Sequence, residues 1–271
     1  MHTNSPSLWK IPPLLLEGHK YTRGHVLVYG GPVMTGASRL TALAALRIGA
    51  GIVTLAADEK TWPIYAESLL SVITRPLTTM QDWQALLADA RINVVVIGPG
   101  AGVNDSTKQA MRAALLANKK CVFDADAITL LAQDASLRDA VKGRDVILTP
   151  HEGEYAKLAS ALRLADGDKA SRAQALAEAM GVVVLLKGHE TIIASTSTVV
   201  ANDHAPEWLA TAGSGDVLAG MIAGLWAQGM SAFDAACAGT WLHGEAAYKL
   251  SRGMMAEDLL GKIPEVFARN D

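Results

Sequence analysis

The sequence predicts an α/β fold in which helices cover both faces of a mostly parallel sheet. Short runs rich in Val, Ile and Leu alternate along the chain with segments of helical periodicity. The strand-like runs are apolar throughout instead of alternating with polar residues, which is typical of strands buried on both faces. Half of the residues (50%) are hydrophobic, so the chain can build a sizeable core.

Each element follows from a local pattern. Strands are predicted at residues 25–30, 51–57, 93–98, 120–124 and 145–149, with helices at residues 37–48, 105–117, 126–132, 152–160 and 169–180. The apolar runs 182–187, 190–195 and 198–201 are joined by links too short for a crossover helix, so they predict an antiparallel meander at one edge of the sheet. Helices at 215–228, 232–251 and 255–268 complete a single domain of residues 1–271.

The charge balance and the distribution of apolar residues exclude two classes of partner. With 24 Lys+Arg against 27 Asp+Glu, the formal net charge is −3, which lacks the basic excess of a nucleic-acid binder. Every long apolar stretch is interrupted by a charged residue, so no membrane span is expected. The N-terminal residues lack the pattern of a signal peptide. Cys121 and Cys237 have no metal-ligand spacing, and we expect buried free thiols in a cytoplasmic protein.

The strongest local signal is the sequence TAGSGD at residues 211–216, directly before an apolar helix. Its glycines let the backbone approach a ligand, and the amides of a helix N-terminus suit a phosphate or a developing oxyanion. Asp216 beside such an anion is useful if it orients or deprotonates a hydroxyl during phosphoryl transfer. The simpler alternative is that Ser214 and Asp216 only cap the helix. The helix dipole is expected to lower the pKa of Asp216, so that it chiefly aligns the hydroxyl and accepts its proton late.

Two further glycine clusters follow predicted strands. Residues 98–102, GPGAG, lie at the carboxyl end of a strand, where α/β sheets bind ligands. Together with Asp124 at the end of the next strand they imitate a dinucleotide fingerprint, so a nicotinamide-dependent dehydrogenase is one alternative. Residues 30–37, GGPVMTGA, form either a ligand-binding turn or a purely structural one. The chain contains no Walker A sequence, so any nucleotide phosphate must be bound by another route.

Polar segments at two other strand ends are further candidates. His151 could contact a substrate and Glu154 could hold a hydrated Mg²⁺ beside phosphates, although Glu152 and Glu154 are also favourable acids for a first helical turn. Lys187 ends an apolar strand and could bind a nucleotide phosphate, or it could belong to a plain hairpin turn. The segment 18–24, GHKYTRG, is either a solvated lead-in or a basic lid.

Taken in order, these motifs resemble the ADP-dependent NAD(P)H-hydrate dehydratase family of the ribokinase-like superfamily. The resemblance is carried by GHKYTRGHVLV, MTGASRLTALAALRIGAGIVTLA, VVVIGPGAG, VFDADAITLLA, ILTPHEGEYAKL, VVVLLKGHETIIA, TAGSGDVLAGMIAGLWAQG and the terminal HGEAAYKL with AEDLLGKIP, which together span residues 18–264. It implies a ribokinase-like fold and a lyase that repairs damaged cofactor. The (6S)-hydrates of NADH and NADPH, called NADHX and NADPHX, would be dehydrated while ADP is converted to AMP and phosphate.

The resemblance also implies a role for each matching position. Asp216 would be the catalytic base or aligning carboxylate and a substrate contact, and Gly213, Ser214 and Gly215 would form an anion hole. The other contacts to the hydrated dinucleotide would be Ala37, Gly102 and His151. The adenine nucleotide would bind to Lys187, Gly188, His189, Glu190 and Thr191 together with Gly215. Glu154 would hold Mg²⁺ through water.

The chain departs from the family pattern at two places. Residues 202–208, NDHAPEW, replace an Asn-rich loop that contains glycine, which leaves details of the nucleotide pocket open, and Thr129 stands where many members have Asn. Many relatives are fused behind an epimerase domain, whereas dehydratase activity alone is expected here. Relatives also suggest a homo-oligomer, such as a tetramer.

Two other functions use the same pockets. A kinase of the same fold would phosphorylate an alcohol such as a vitamin precursor and would retain the phosphoester. A noncatalytic nucleotide sensor would gain nothing from a carboxylate that faces phosphate, so Asp216 argues against it.

Overall fold

The computed structural model describes residues 2–267 and contains one ten-stranded sheet. The strands are β1 (His2–Thr3), β2 (His25–Gly30), β3 (Ile52–Asp58), β4 (Ile73–Leu77), β5 (Val94–Ile97), β6 (Lys120–Phe123), β7 (Val146–Leu148), β8 (Val183–Leu186), β9 (Thr191–Ala194) and β10 (Val199–Asn202). Their order across the sheet is β1-β10-β9-β8-β7-β6-β5-β2-β3-β4. β9 is antiparallel to both of its neighbours, and the other pairs are parallel. The predicted parallel sheet with an antiparallel meander is therefore confirmed, except that β1 lies outside β10.

Helices cover both faces of this sheet, as the apolar strands predict. They are α1 (Thr35–Arg47), α2 (Trp62–Ser68), α3 (Met80–Leu87), α4 (Asp105–Leu116), α5 (Asp126–Gln133), α6 (Ala135–Val141), α7 (Glu152–Leu162), α8 (Lys169–Met180), α9 (Ser214–Ala227), α10 (Ala232–Tyr248) and α11 (Ala256–Phe267). Helices α1, α2, α9, α10 and α11 pack on one face, and α3 to α8 pack on the other. Within residues 2–267, no helix is both long enough and apolar enough to cross a bilayer.

The sequence patterns give no elements between residues 58 and 92, where the structure has α2, β4 and α3. β4 is the outermost strand on its side, and Leu77 is its one buried residue, so it lacks the apolar run of an interior strand. Pro76 is tolerated within β4 because an edge strand leaves one side without hydrogen-bonding partners. The helix predicted at 255–268 corresponds to α11, and Ala268 lies outside the described residues.

Close packing of α9 against α1 positions the start of α9. A Cβ atom at Gly220 would overlap the Thr41 carbonyl oxygen, so glycine permits the two helices to approach. The Thr41 hydroxyl also donates to the main-chain oxygen of Asp216 at 3.0 Å. Residues 217–227 are all buried. The first turn of α9, which contains Asp216, is therefore the least buried part of this helix.

Candidate active site

The strand order of the sheet reverses between the neighbouring strands β2 and β5. These strands are neighbours, but the chain continues from β2 to β3 on one side and from β5 to β6 on the other. Such a switch opens a ligand-binding crevice at the carboxyl ends of the strands. The two glycine turns that follow β2 and β5 pack together here, because the amides of Val33 and Met34 donate to the Gly100 carbonyl at 3.1 and 3.3 Å. A side chain at Gly31 would overlap the same carbonyl.

Two of the residues predicted to contact the substrate lie on this pair of turns. Ala37 is buried in the first turn of α1, and its amide donates to the Met34 carbonyl at 3.1 Å. The Gly102 amide donates to Asp126 Oδ2 at 2.7 Å. The structure thus brings Ala37 and Gly102 to one region, although they are distant in sequence.

Helix α9 begins without a side-chain cap. Its N-cap is Gly213, which has a left-handed φ of +88°, and neither Ser214 nor Asp216 caps it. The Ser214 hydroxyl points toward the preceding loop: the hydroxyl and the amide of Ser214 donate to the Thr211 carbonyl at 2.9 and 3.3 Å. The alternative in which this segment only caps a helix is therefore wrong. Anion binding at this turn would rest mainly on the neighbouring glycine amides and on the positive end of the helix.

Asp216 faces charged side chains from other strand ends. Lys187 follows β8 and donates to Asp124 Oδ1, after β6, at 2.8 Å. The Asp124 side chain is 3% exposed and that of Lys187 is 19% exposed. Burial alone would lower the pKa of Lys187, but the carboxylates of Asp124, Glu154 and Asp216 outweigh it and raise this pKa. Lys187 therefore stays charged inside a cluster of acidic groups.

The pKa of Asp216 is raised to about 7. Burial is the largest cause, the charge of Asp124 acts in the same direction, and Lys187 opposes both. The expectation that the helix dipole lowers this pKa is therefore wrong, because desolvation and like charges outweigh the dipole. A carboxyl group with a pKa near neutrality is matched to general base catalysis at physiological pH.

The predicted site does not include Asp124, although the structure pairs this residue with Lys187. The dehydrogenase alternative would use this carboxylate to bind a ribose hydroxyl, but it is buried and paired with Lys187. That alternative does not fit the structure. The available signal is that Asp124 directly follows an apolar strand, which places it at the carboxyl edge of the sheet.

His151 and Glu154 form a reciprocal cap at the start of α7. His151 Nδ1 accepts hydrogen bonds from the amides of Gly153 and Glu154, and Glu154 Oε2 accepts from the His151 amide at 2.9 Å. Glu154 is thus a first-turn acid, as the simpler alternative predicts, but it also belongs to the charged cluster. Its pKa is raised by burial and by Asp124, and Lys187 opposes this rise.

The predicted nucleotide residues border a cavity of about 810 Å³. Lys187, Gly188, His189, Thr191 and Gly215 all line it, together with His151 and Ser214, whereas Glu190, Ala37 and Gly102 do not. Leu218 and His243 also line it, from motifs in which no binding role was predicted for them. Leu209, Ala210 and Thr240 complete the wall and belong to no motif, so no sequence signal marks them.

The segment 202–208, which departs from the family pattern, forms part of the same wall through Asn202, Ala205, Pro206 and Glu207. It is held by a ring contact: His204 stacks on Trp241 with centroids 4.5 Å apart and an angle of 9° between the rings. His204 Nε2 also lies 3.1 Å from Glu245 Oε2. The cavity wall is thus anchored to α10 by side chains specific to this segment.

The segment 18–24 lies at the amino ends of the parallel strands, opposite the carboxyl ends that carry the candidate site. The main chain of Lys20 packs against Gly51, just before the amino end of β3, and the amide of Gly51 donates to the Arg23 carbonyl at 3.2 Å. The lead-in interpretation is therefore correct, and the basic-lid alternative is wrong.

Comparison with known proteins places these features in a family context. Residues 25–265 match the family model described as NAD(P)H-hydrate dehydratase. An ADP-dependent (S)-NAD(P)H-hydrate dehydratase from Neisseria meningitidis serogroup B is 38% identical over 256 residues, covering 91% of this chain and 84% of that protein. A bifunctional NAD(P)H-hydrate repair enzyme from Coxiella burnetii is 37% identical over 92% of this chain, which spans only 51% of that enzyme.

Solved structures agree with the fold. The ADP/ATP-dependent NAD(P)H-hydrate dehydratase from Bacillus subtilis, co-crystallised with ATP and Mg²⁺, has a TM-score of 0.81 and 26% identity, covering 100% of this chain and 99% of that one. A ribokinase-like superfamily protein from Enterococcus faecalis has a TM-score of 0.84 at 22% identity, covering 99% and 96% of the two chains, and this likeness shows the fold alone.

Proposed function

Because the chain belongs to the NAD(P)H-hydrate dehydratase family, we propose that it dehydrates the (6S)-hydrates of NADH and NADPH to the reduced dinucleotides, with ADP converted to AMP and phosphate. The observation that carries the chemistry is the arrangement of the half-buried Asp216 and Lys187 with the buried Asp124 at the start of α9, beside a cavity of about 810 Å³ that Lys187 and Gly215 line. This activity is that of a lyase that repairs damaged nicotinamide nucleotides.

In the first step the C6 hydroxyl of the hydrate attacks the β-phosphorus of ADP. A bond forms between that oxygen and phosphorus, the bond from phosphorus to the bridging oxygen breaks, and AMP leaves. The hydroxyl proton passes to the carboxylate of Asp216, whose raised pKa makes it a competent acceptor at neutral pH. The anion hole of Gly213, Ser214 and Gly215 would stabilise negative charge on the transferring group.

The second step uses the phosphate as a leaving group, which hydroxide is not. The lone pair of the ring nitrogen expels phosphate from C6, and the departing phosphate takes a proton from C5, which restores the conjugated dihydropyridine. Ala37, Gly102 and His151 are proposed to hold the hydrated dinucleotide during both steps. Their position on turns at the carboxyl edge supports this assignment.

The adenine nucleotide is proposed to bind along Lys187, Gly188, His189, Glu190 and Thr191 with Gly215. Four of the five turn residues and Gly215 line the cavity, and Lys187 Nζ lies 3.4 Å from the position of a Cβ atom built on Gly215. The ammonium group of Lys187 is therefore directly beside the proposed anion hole, where a phosphate would receive both interactions.

The charged cluster also fits a Mg²⁺ ion that is held mainly by the nucleotide. Among residues 2–267, no group of three or more His, Cys, Asp or Glu side chains is placed to hold a metal ion alone. The site nevertheless has three neighbouring carboxylates, Asp124, Glu154 and Asp216, against the single cation Lys187. We propose that Glu154 holds Mg²⁺ through water, as is common when phosphates supply the other ligands. When bound, the ion would neutralise charge on the phosphates.

Assembly and location are proposed from the surface and from the cysteines. Leu14, Leu15 and Leu16 are 73%, 65% and 106% exposed, and association of copies into a homo-oligomer would cover such apolar surface. Light scattering of the purified protein tests this, since a monomer would contradict it. Cys121 and Cys237 are buried free thiols, which suits the reducing cytoplasm.

The function is tested by following the near-ultraviolet band of the reduced nicotinamide. Epimer-mixed NADPHX is incubated with the protein, Mg²⁺ and either ADP or ATP, and AMP and phosphate are quantified in parallel. Recovery of the band with stoichiometric AMP and phosphate supports the proposal and identifies the preferred donor. A stable phosphoester without recovery of the band would instead identify an alcohol kinase of the same fold. Omission of Mg²⁺ with a chelator should abolish recovery.

A further inference from the structure

A lysine outside the cavity wall holds the main chain of the proposed nucleotide turn. Lys169 is the first residue of α8, and its ammonium group donates to the Lys187 carbonyl at 3.2 Å and to the Glu190 carbonyl. These two carbonyls lie at the two ends of the turn between β8 and β9. A single cation therefore ties both ends of the turn together from beneath.

The position of Gly188 shows how closely this ammonium group approaches the turn. A Cβ atom at this position would overlap the ammonium group of Lys169. The glycine in the sequence Leu-Lys-Gly therefore leaves room for the end of a lysine side chain nineteen residues earlier in the chain.

Lys169 is itself held by α7. Its ammonium lies 3.5 Å from Glu152 Oε1, and Arg172 donates to both oxygens of the same carboxylate, at 2.9 and 3.2 Å. The Lys169 side chain is 19% exposed. The pKa of Lys169 is lowered, because burial outweighs the charge of Glu152, which raises it.

We propose that Lys169 is the positioning residue that fixes the main chain of the turn 187–191 for the adenine nucleotide, whereas the ammonium of Lys187 is held separately by Asp124. This inference rests on the proposed function. Lys169 does not line the cavity, so its effect reaches the nucleotide through the main chain of the turn. Loss of Lys169 should therefore weaken nucleotide binding while leaving the hydrated dinucleotide and the chemical step largely unaffected.

The test compares three variants with the wild type. Lys169→Met keeps much of the apolar stem but removes the donor, Lys169→Arg keeps a charged donor, and Lys157→Met removes an exposed lysine of α7 as a matched control. For Lys169→Met we expect KM for ADP to rise on the order of tenfold, with kcat at saturating ADP within about twofold of the wild type. KM for NADPHX should stay unchanged, Lys169→Arg should restore much of the ADP affinity, and the control should behave like the wild type.

Calorimetric titration with ADP separates this inference from the proposed function. Weaker ADP binding by Lys169→Met supports the positioning role even if no dehydratase activity is found, in which case only the proposed function fails. An unchanged Kd for ADP in a folded Lys169→Met protein would overturn the inference while leaving the dehydratase assignment intact. A parallel loss of kcat, of NADPHX affinity and of thermal stability, without rescue by arginine, would also overturn it, since that pattern indicates a general structural role.

Discussion

The substitution Asp216→Asn should stabilise the fold at neutral pH while greatly reducing turnover. The pKa of Asp216 rises from an ordinary value near 3.8 to about 7 in the folded chain. Between these values the native state holds a proton that the unfolded state has already released. The free energy of unfolding must therefore fall as the pH rises through this window, because the native state loses its favoured proton. Asparagine has a similar shape and carries no charge, so it removes this dependence.

The size of the effect follows from the shift. About three pH units at about 1.4 kcal/mol each mean that the ionised Asp216 lowers the free energy of unfolding by ~4 kcal/mol above about pH 7. Partial solvent access of the Asp216 side chain reduces this value, so it is an upper bound. The advantage of Asp216→Asn over the wild type should be close to zero near pH 4 and should grow to ~2–4 kcal/mol above about pH 7.

Urea unfolding of both proteins at a series of pH values from about 5 to 8 measures this difference. A difference that does not change with pH would show that the carboxyl group of Asp216 is not strained in the native state, and the reasoning from burial would fail. The same variant should lose roughly two to four orders of magnitude in turnover if Asp216 is the general base. Its Kd for ADP should be nearly unchanged, and undiminished turnover would refute the catalytic assignment.

Two further substitutions test the surroundings of Asp216. Asp124→Asn removes a negative charge that raises the pKa of Asp216, so the acidic limb of the profile of kcat/KM against pH should move down by ~0.5–1 unit; an unmoved limb would mean that the two carboxylates do not interact. Gly220→Ala places a methyl group against the Thr41 carbonyl and should cost about 1–3 kcal/mol in urea unfolding. Gly261→Ala in α11, which meets open space, is the control and should be neutral or slightly stabilising.

The sequence allowed the architecture and the positions of the loops to be predicted because both depend on local patterns. Continuous apolar runs mark interior strands, and glycine clusters directly after them mark the edge where ligands bind. The edge strand β4 was not predicted because its residues are mostly exposed. The short helix α6 was not predicted because its segment has no clear hydrophobic period.

The electrostatics of the site could not be predicted in the same way. Lys187 and Asp124 are 63 residues apart, so their contact exists only after folding. A local argument from the helix dipole gave the wrong sign for the pKa of Asp216, because burial and distant carboxylates dominate. The part of the cavity wall formed by residues 202–208 likewise depends on the stacking of His204 on Trp241, which no local sequence motif predicts.

The candidate site has two parts, the start of α9 and the turn between β8 and β9. Local unfolding of the first should cost more free energy than local unfolding of the second, because α9 is buried from residue 217 onward. Local opening around Asp216 would disrupt the packing of α9 on α1, so the amide hydrogens of residues 217–227 should exchange only in global unfolding. The turn between β8 and β9 is exposed at residues 188–190, and beyond Lys187 it is held by the ammonium group of Lys169, so this part can open without loss of the core. With the nucleotide bound at this turn as proposed, it would have a route for exchange that leaves Asp216 in place, and the reacting geometry would not need to be rebuilt between turnovers.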